Sequence, residues 1–154
     1  MARFFELALV SLMVACGSAD FVAPPEPPSD DPEALHDWLS AGSYEPWQAE
    51  SAVLPGLNGA GRRVFLNEAI DPAGSPVGAA GVRELYDGVD GPQIGWSVLI
   101  KVDDSEDALQ NWYFYETFNL EVRTEHAIAG RGAPGCGFCH GSAPDVIQSS
   151  LPLP

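Results

Sequence analysis

The residues Gly135-Cys136-Gly137-Phe138-Cys139-His140-Gly141 carry the most specific chemical pattern in this chain. Two thiols three positions apart, with an imidazole directly after the second, form the attachment pattern for c-type haem. Each thiol adds to one vinyl group of the same porphyrin, and the adjoining histidine reaches the iron as proximal ligand. Cys136 and Cys139 are therefore the expected covalent attachments and His140 the expected iron ligand of a haem c. The flanking glycines let the backbone run close to a macrocycle. The same spacing also serves a redox dithiol, half of a structural zinc site or a short disulfide. A redox dithiol belongs at the start of a helix in a βαβ unit, and no such unit is readable upstream. A closed zinc site needs four ligands, and the other histidines, His36 and His126, are far away in sequence.

The iron's sixth position is the next question. Electron-carrying cytochromes often use His and Met, but the methionines here are Met1 and Met13. Both precede the expected cleavage point described below, so His–Met ligation is excluded in the processed chain. His126, fourteen residues before His140, is a candidate sixth ligand. His36, Lys101, water and an open site are the others. An open site would bind or transform a small molecule, with Phe65, Trp112, Phe114 and Phe118 as candidate walls. For each aromatic the plainer role is sheet core.

Export is the setting in which such a haem is installed. The chain opens with Arg3, runs mainly apolar from Leu7 to Ala15, and meets Cys16-Gly17-Ser18. That is the form of a secretory signal, too short to span a bilayer as a mature helix. Leu12-Met13-Val14-Ala15-Cys16 resembles a bacterial lipoprotein box, which implies acylation of Cys16 and a lipid anchor. Without an aspartate after the cysteine, the resemblance implies the outer membrane, facing the periplasm. The alternative is ordinary secretion with Cys16 discarded. With Cys16 lipidated and Cys136 and Cys139 on haem, no cysteine remains for a disulfide.

The formal net charge is −15. Nucleic acid is excluded as a partner, because phosphates demand Lys and Arg. An acidic surface steers a basic redox partner such as another cytochrome, or merely keeps the chain soluble. The organisation expected is a signal peptide over 1–15, a proline-rich tether over 16–31 and a haem domain over 32–154. Pro24-Pro25-Glu26-Pro27-Pro28 suits an extended spacer.

The elements that position the motif are readable in part. Asp31-Pro32-Glu33 is a helix start, with Leu35, Trp38 and Leu39 on one face and Gly42 as the stop. His36 falls off that stripe and is expected at the surface. Val64 to Leu66, Gly81 to Tyr86, Ile94 to Val102 and Asn111 to Phe118 read as strands. Ile94, Trp96, Val98, Ile100 and Val102 alternate with Gly95, Ser97, Leu99 and Lys101. Trp112, Phe114 and Phe118 oppose Tyr113 and Tyr115 in the same way. Asp87 to Pro92 is a hairpin connection. Ala127 to Pro134 reads as a glycine-rich lead into the motif, and Asp145 to Ser150 as a short helix. The fold class expected is α+β: mainly an antiparallel β-sheet meander with flanking helices and one c-type haem near the C-terminus.

Taken in order, Val82-Arg83-Glu84-Leu85-Tyr86, Gly95-Trp96-Ser97-Val98-Leu99-Ile100-Lys101, Trp112-Tyr113-Phe114-Tyr115-Glu116 and Cys136-Gly137-Phe138-Cys139-His140 resemble the cytochrome P-460 and cytochrome c′-beta family. The likeness runs from about Gly61 to Leu153. It implies an antiparallel sheet, flanking helices and a single haem c. Family members with a lysine cross-linked to the porphyrin oxidise hydroxylamine or nitric oxide, and others bind diatomic gases under aromatic caps. This chain has Arg83 where the Val-x-Glu-Leu-Tyr stretch leads one to expect lysine. A guanidinium stays protonated and cannot supply a neutral amine. Arg83 is then a distal candidate, and Lys101, the only lysine, the candidate for a cross-link. Glu116 is a candidate proton acceptor, or a strand carboxylate facing water. Arg131 is a candidate partner for a haem propionate. The resemblance also implies a homodimer.

Two other functions fit the same residues. One is a plain electron carrier with both axial sites filled; the other is a diatomic gas binder without turnover.

Overall fold

The computed structural model describes residues 25–71, 73–141 and 153–154. Its first helix, α1 (Pro32–Ser40), starts as the sequence predicts. The Asp31 carboxyl accepts from the amides of Glu33 and Ala34, each at 3.0 Å, and Pro32 sits at the first helical position. The chain leaves the helix through Gly42, whose φ of 67° a residue with a Cβ adopts reluctantly. Leu35, Trp38 and Leu39 are buried as expected. His36 is not at the surface: only 2% of it is exposed. Its Nε2 lies 3.1 Å from the Asn119 carbonyl oxygen and its Nδ1 3.3 Å from Ser40 Oγ. Its ring meets Trp96 edge-on, with centroids 5.5 Å apart. The helix lies across a broad sheet, so its contact stripe extends one position further round than Leu35, Trp38 and Leu39 define. Trp38 also holds the end of the proline-rich stretch, its indole donating to the Pro25 carbonyl at 3.0 Å.

Among the described residues seven strands follow: β1 (Gln48–Ala49), β2 (Leu54–Pro55), β3 (Gly61–Leu66), β4 (Ala80–Tyr86), β5 (Gln93–Lys101), β6 (Trp112–Thr117) and β7 (Ile128–Arg131). They form one sheet in the order β1-β3-β4-β5-β6-β7, with β2 also on β3. Every pairing is antiparallel. The expected meander is therefore present as β3 to β7, but only the connection from β4 to β5, over residues 87–92, is a short turn. A second helix, α2 (Pro134–His140), ends the described chain apart from Leu153 and Pro154. The helix expected over Asp145 to Ser150 lies outside the described residues. So do Cys16 and the apolar stretch before it. Among the described residues no helix is long and apolar enough to cross a membrane.

β7 and α2 correct the reading of Ala127 to Pro134 as a glycine-rich lead. Residues 128 to 131 pair with β6, Glu116 facing Ile128 and Phe114 facing Gly130. Gly130 at φ 153° and Gly132 at φ 56° carry the chain out of the strand toward the helix. Two glycines leave too few apolar side chains for a period of two to be visible.

Alternation divides the core into two layers. On one face Phe65, Val82, Trp96, Val98, Ile100, Tyr113 and Tyr115 pack under α1 with Leu35, Trp38 and Leu39. On the other, Val64, Leu66, Trp112 and Phe114 pack with Leu99, Ile128, Ala133, Cys136 and Leu153. Gly95 is required beside the end of β6, since a Cβ there would run into the Thr117 carbonyl oxygen.

The α1 face contains a buried polar knot. Tyr44 and Tyr86 donate their hydroxyls to the two carboxyl oxygens of Glu84, each at 2.7 Å. The Trp96 indole donates to Tyr44 Oη at 3.1 Å. Burial first, and then the Glu84 hydrogen bond, pushes the Tyr86 phenol up to about 12. Burial likewise pushes Tyr115 up to about 12, and its hydroxyl has no hydrogen-bond partner among the described residues. Tyrosines in an unfolded chain ionise near pH ~10. Above that pH the unfolded chain releases protons that the folded chain still holds. The stability these groups contribute is complete below about pH 10 and is lost as the pH rises toward about 12. Urea midpoints are expected to fall across that interval; a flat profile would contradict the burial of these phenols.

Candidate functional site

The site is built on α2 and the sheet face beneath it. Pro134 opens the helix, where its missing N–H costs nothing. Cys136, Cys139 and His140 stand at i, i+3 and i+4, so all three fall on one helical stripe. Cys136 is half-buried against the layer of Val64, Leu66, Trp112 and Phe114. The His140 ring lies 5.6 Å from that of Phe114, centroid to centroid. Gly137 faces Leu109, whose side chain a Cβ would crowd at 2.6 Å. The two cysteines are not bonded to each other.

This strand-then-helix context meets part of what a redox dithiol needs, but its strand is an antiparallel edge rather than part of a βαβ unit. A reactive dithiol also needs a lowered thiol pKa. Burial first, then Glu116 and then Cys139, pushes the Cys136 thiol up instead. Among the described residues no group of three or more His, Cys, Asp and Glu is gathered that could hold a metal ion. Two thiols not bonded to each other and an imidazole on one stripe, over an aromatic and apolar floor, fit a porphyrin held by thioethers with iron on His140.

Register shows which other residues share this face. Val64, Arg83, Ser97, Glu116 and Ile128 pair in succession across five strands. Leu66, Gly81, Leu99, Phe114 and Gly130 form the next row. Glu116 therefore lies one row from Phe114 on β6, a step of about 7 Å. Arg83 lies on Glu116's own row, two strands and about 10 Å away between Cα atoms. Glu116 acts on both Cys136 and Arg83: its charge raises the thiol and partly offsets the lowering of the Arg83 guanidinium by burial and by Arg62. Cys136, Cys139, His140, Phe114, Glu116 and Arg83 thus belong to one side of the molecule.

His126 and Phe65 are placed elsewhere. His126 is exposed and sits 6.1 Å from the ring of Tyr115, which belongs to the α1 face. His140 is against Phe114, the preceding residue, which points the opposite way. The two imidazoles are therefore on opposite sides of the sheet. Phe65 also belongs to the α1 face, edge-on to Tyr44 at 4.8 Å, so it is no wall of a pocket over α2. Trp112 and Phe114 are on the α2 side, and Phe118 is 60% exposed. Lys101 is buried; its Nζ donates to the Ser75 carbonyl at 2.6 Å and pairs with Asp104 at 3.2 Å. Arg131 pairs with Asp103 at 3.4 Å and donates to the Val102 carbonyl.

Sequence reasoning missed Arg62 and Glu50. The Arg62 guanidinium meets the Glu50 carboxyl at 2.5 Å, and the other Glu50 oxygen accepts from the Val64 amide at 2.9 Å. Arg62 alternates with Val64 and Leu66, and that alternation was the available signal. Comparison of the chain with family models, curated proteins and solved structures finds no match.

Proposed function

We propose that this chain is an exported mono-haem c-type cytochrome resembling cytochrome P-460, with an open distal site for a small nitrogen species such as nitric oxide or hydroxylamine. The observation that carries the reading is the single stripe of Cys136, Cys139 and His140 on α2, laid against the Phe114 layer. Cys136 and Cys139 would hold the porphyrin through thioethers, and His140 would hold its iron. When bound, such an iron supplies a coordination site for a diatomic or hydroxylamine-like molecule and a place for its electrons.

The chain's own residues do the rest. Trp112 and Phe114, 1% and 3% exposed, keep water from the floor of the site. The half-buried Glu116 accepts a proton at a carboxyl oxygen when an N–H or O–H substrate is oxidised. Lys101 is the residue from which a cross-link would form. We propose further that Cys16 is acylated and that residues 16–31 tether the domain to the outer membrane, facing the periplasm.

The test is the optical spectrum of the purified holoprotein, ferric and ferrous, with and without nitric oxide. A five-coordinate c-type spectrum that changes on adding nitric oxide is expected. A ferrous Soret band displaced strongly to the red would add the Lys101 cross-link and favour hydroxylamine oxidation. A sharp six-coordinate ferrous spectrum indifferent to nitric oxide would leave an electron carrier and end the open-site reading.

A further inference from the structure

On the α2 side of the sheet, at the β3–β4 end, lies a cavity of about 520 Å³. Small-molecule sites run from about 300 to 1,000 Å³. Arg62 and Arg83 line it together with Glu50, and Pro55, Leu85 and Leu153 supply apolar wall. Leu153 also packs in the layer that receives Cys136, so the cavity adjoins the site on α2.

Its charge is unusual for this molecule. The whole chain has 7 Lys and Arg against 22 Asp and Glu, yet two guanidiniums converge here. Arg62 is balanced by Glu50, whose two carboxyl oxygens are both taken. Arg83 has no ion-pair partner among the described residues. Pro154 also lines the cavity, but its main-chain oxygen accepts from the Ser51 amide at 2.9 Å, and neither guanidinium pairs with it. Arg83 is thus half-buried beside apolar wall without an ion pair of its own. Burial and the neighbouring Arg62 both lower the Arg83 pKa, and an anion in the cavity would relieve both.

We propose that this cavity is a binding site for a monocarboxylate carried on an apolar body, with Arg83 as its anchor. A guanidinium fork matches a carboxylate in two parallel hydrogen bonds. A single guanidinium without an ion pair suits a monoanion better than a phosphate dianion in so acidic a chain. Leu85, Pro55 and Leu153 cover the apolar body. Two sources have this chemistry: a free small carboxylic acid, and, if the haem reading above holds, a propionate of the chain's own haem.

The experiment is a calorimetric titration of the full-length holoprotein with benzoate, with benzyl alcohol as the uncharged control. Saturable benzoate binding, no alcohol binding and about tenfold or greater weakening in Arg83→Gln are expected for a free ligand. Arg83→Lys keeps the charge but not the fork and is expected between the two. If the haem propionate fills the cavity, the holoprotein will not bind benzoate. The Cys136→Ser/Cys139→Ser chain without haem will then bind it, and adding Arg83→Gln will remove that binding. Absence of binding in both forms, or equal binding by Arg83→Gln with a native far-ultraviolet dichroism spectrum, would overturn the site. Benzoate binding needs no haem, so failure of the haem reading and failure of this one are told apart.

Discussion

A chain in which Cys136 and Cys139 are both replaced by serine is expected to carry no haem through denaturation, against complete retention by the wild type. A serine hydroxyl does not add to a vinyl group under conditions in which a thiolate does. Each single variant is expected to keep one thioether and so remain haem-stained on a denaturing gel. Its reduced pyridine haemochrome band should lie between those of haem b and ordinary haem c. The two thiols stand three residues apart on one stripe of α2, Cys136 half-buried and Cys139 exposed, a spacing at which one ligand could take both. Loss of stain in the double variant with an unchanged far-ultraviolet spectrum separates attachment from folding. If the unaltered chain, expressed with haem maturation in an oxidising compartment, shows no stain, the haem reading fails outright.

The second large effect is on stability. Glu84→Ala is expected to cost about 3–5 kcal/mol, because it removes the acceptor of two short phenol hydrogen bonds and leaves a void. Tyr44 is 3% exposed and Glu84 7% exposed, so water does not readily replace the lost carboxyl group. The Tyr44 hydroxyl would keep only the Trp96 indole as a donor to it and would have no acceptor of its own. Glu84→Gln preserves one acceptor oxygen and the volume, and is expected to cost roughly 1–2 kcal/mol. Urea unfolding followed by tryptophan fluorescence reads both, and an alanine variant within about 1 kcal/mol of wild type would sink the argument. This knot lies on the α1 face, so it sets the stability of the platform without touching the α2 site.

How far the sequence reaches can be judged from particular elements. α1 was legible because Asp31, Pro32 and Glu33 act within one turn of the backbone they cap. β5 was legible because Trp96, Val98 and Ile100 stand at alternate positions and all three are buried in one layer. The turn at Asp87 to Pro92 was legible from its glycines and proline. β7 was hidden, since an edge strand holding Gly130 has little side-chain pattern, and only its ladder with β6 defines it. α2 was hidden too, because Gly135 and Gly137 are poor helix formers and the helix rests on packing rather than propensity.

The residue sequence by itself determined the spacing of Cys136, Cys139 and His140, the cap of α1 and the partition of side chains within each strand. Those follow from spacing along the chain, which is a local property. Only the tertiary structure decided which face of each strand joins which layer. It put Phe65 under α1 and Phe114 under α2, set His126 and His140 on opposite sides of the sheet, buried His36, and brought Arg62 and Arg83 into one cavity. A period of two states which residues share a face but not which face it is, and the register between strands far apart in sequence is set by pairing energies that no single strand contains.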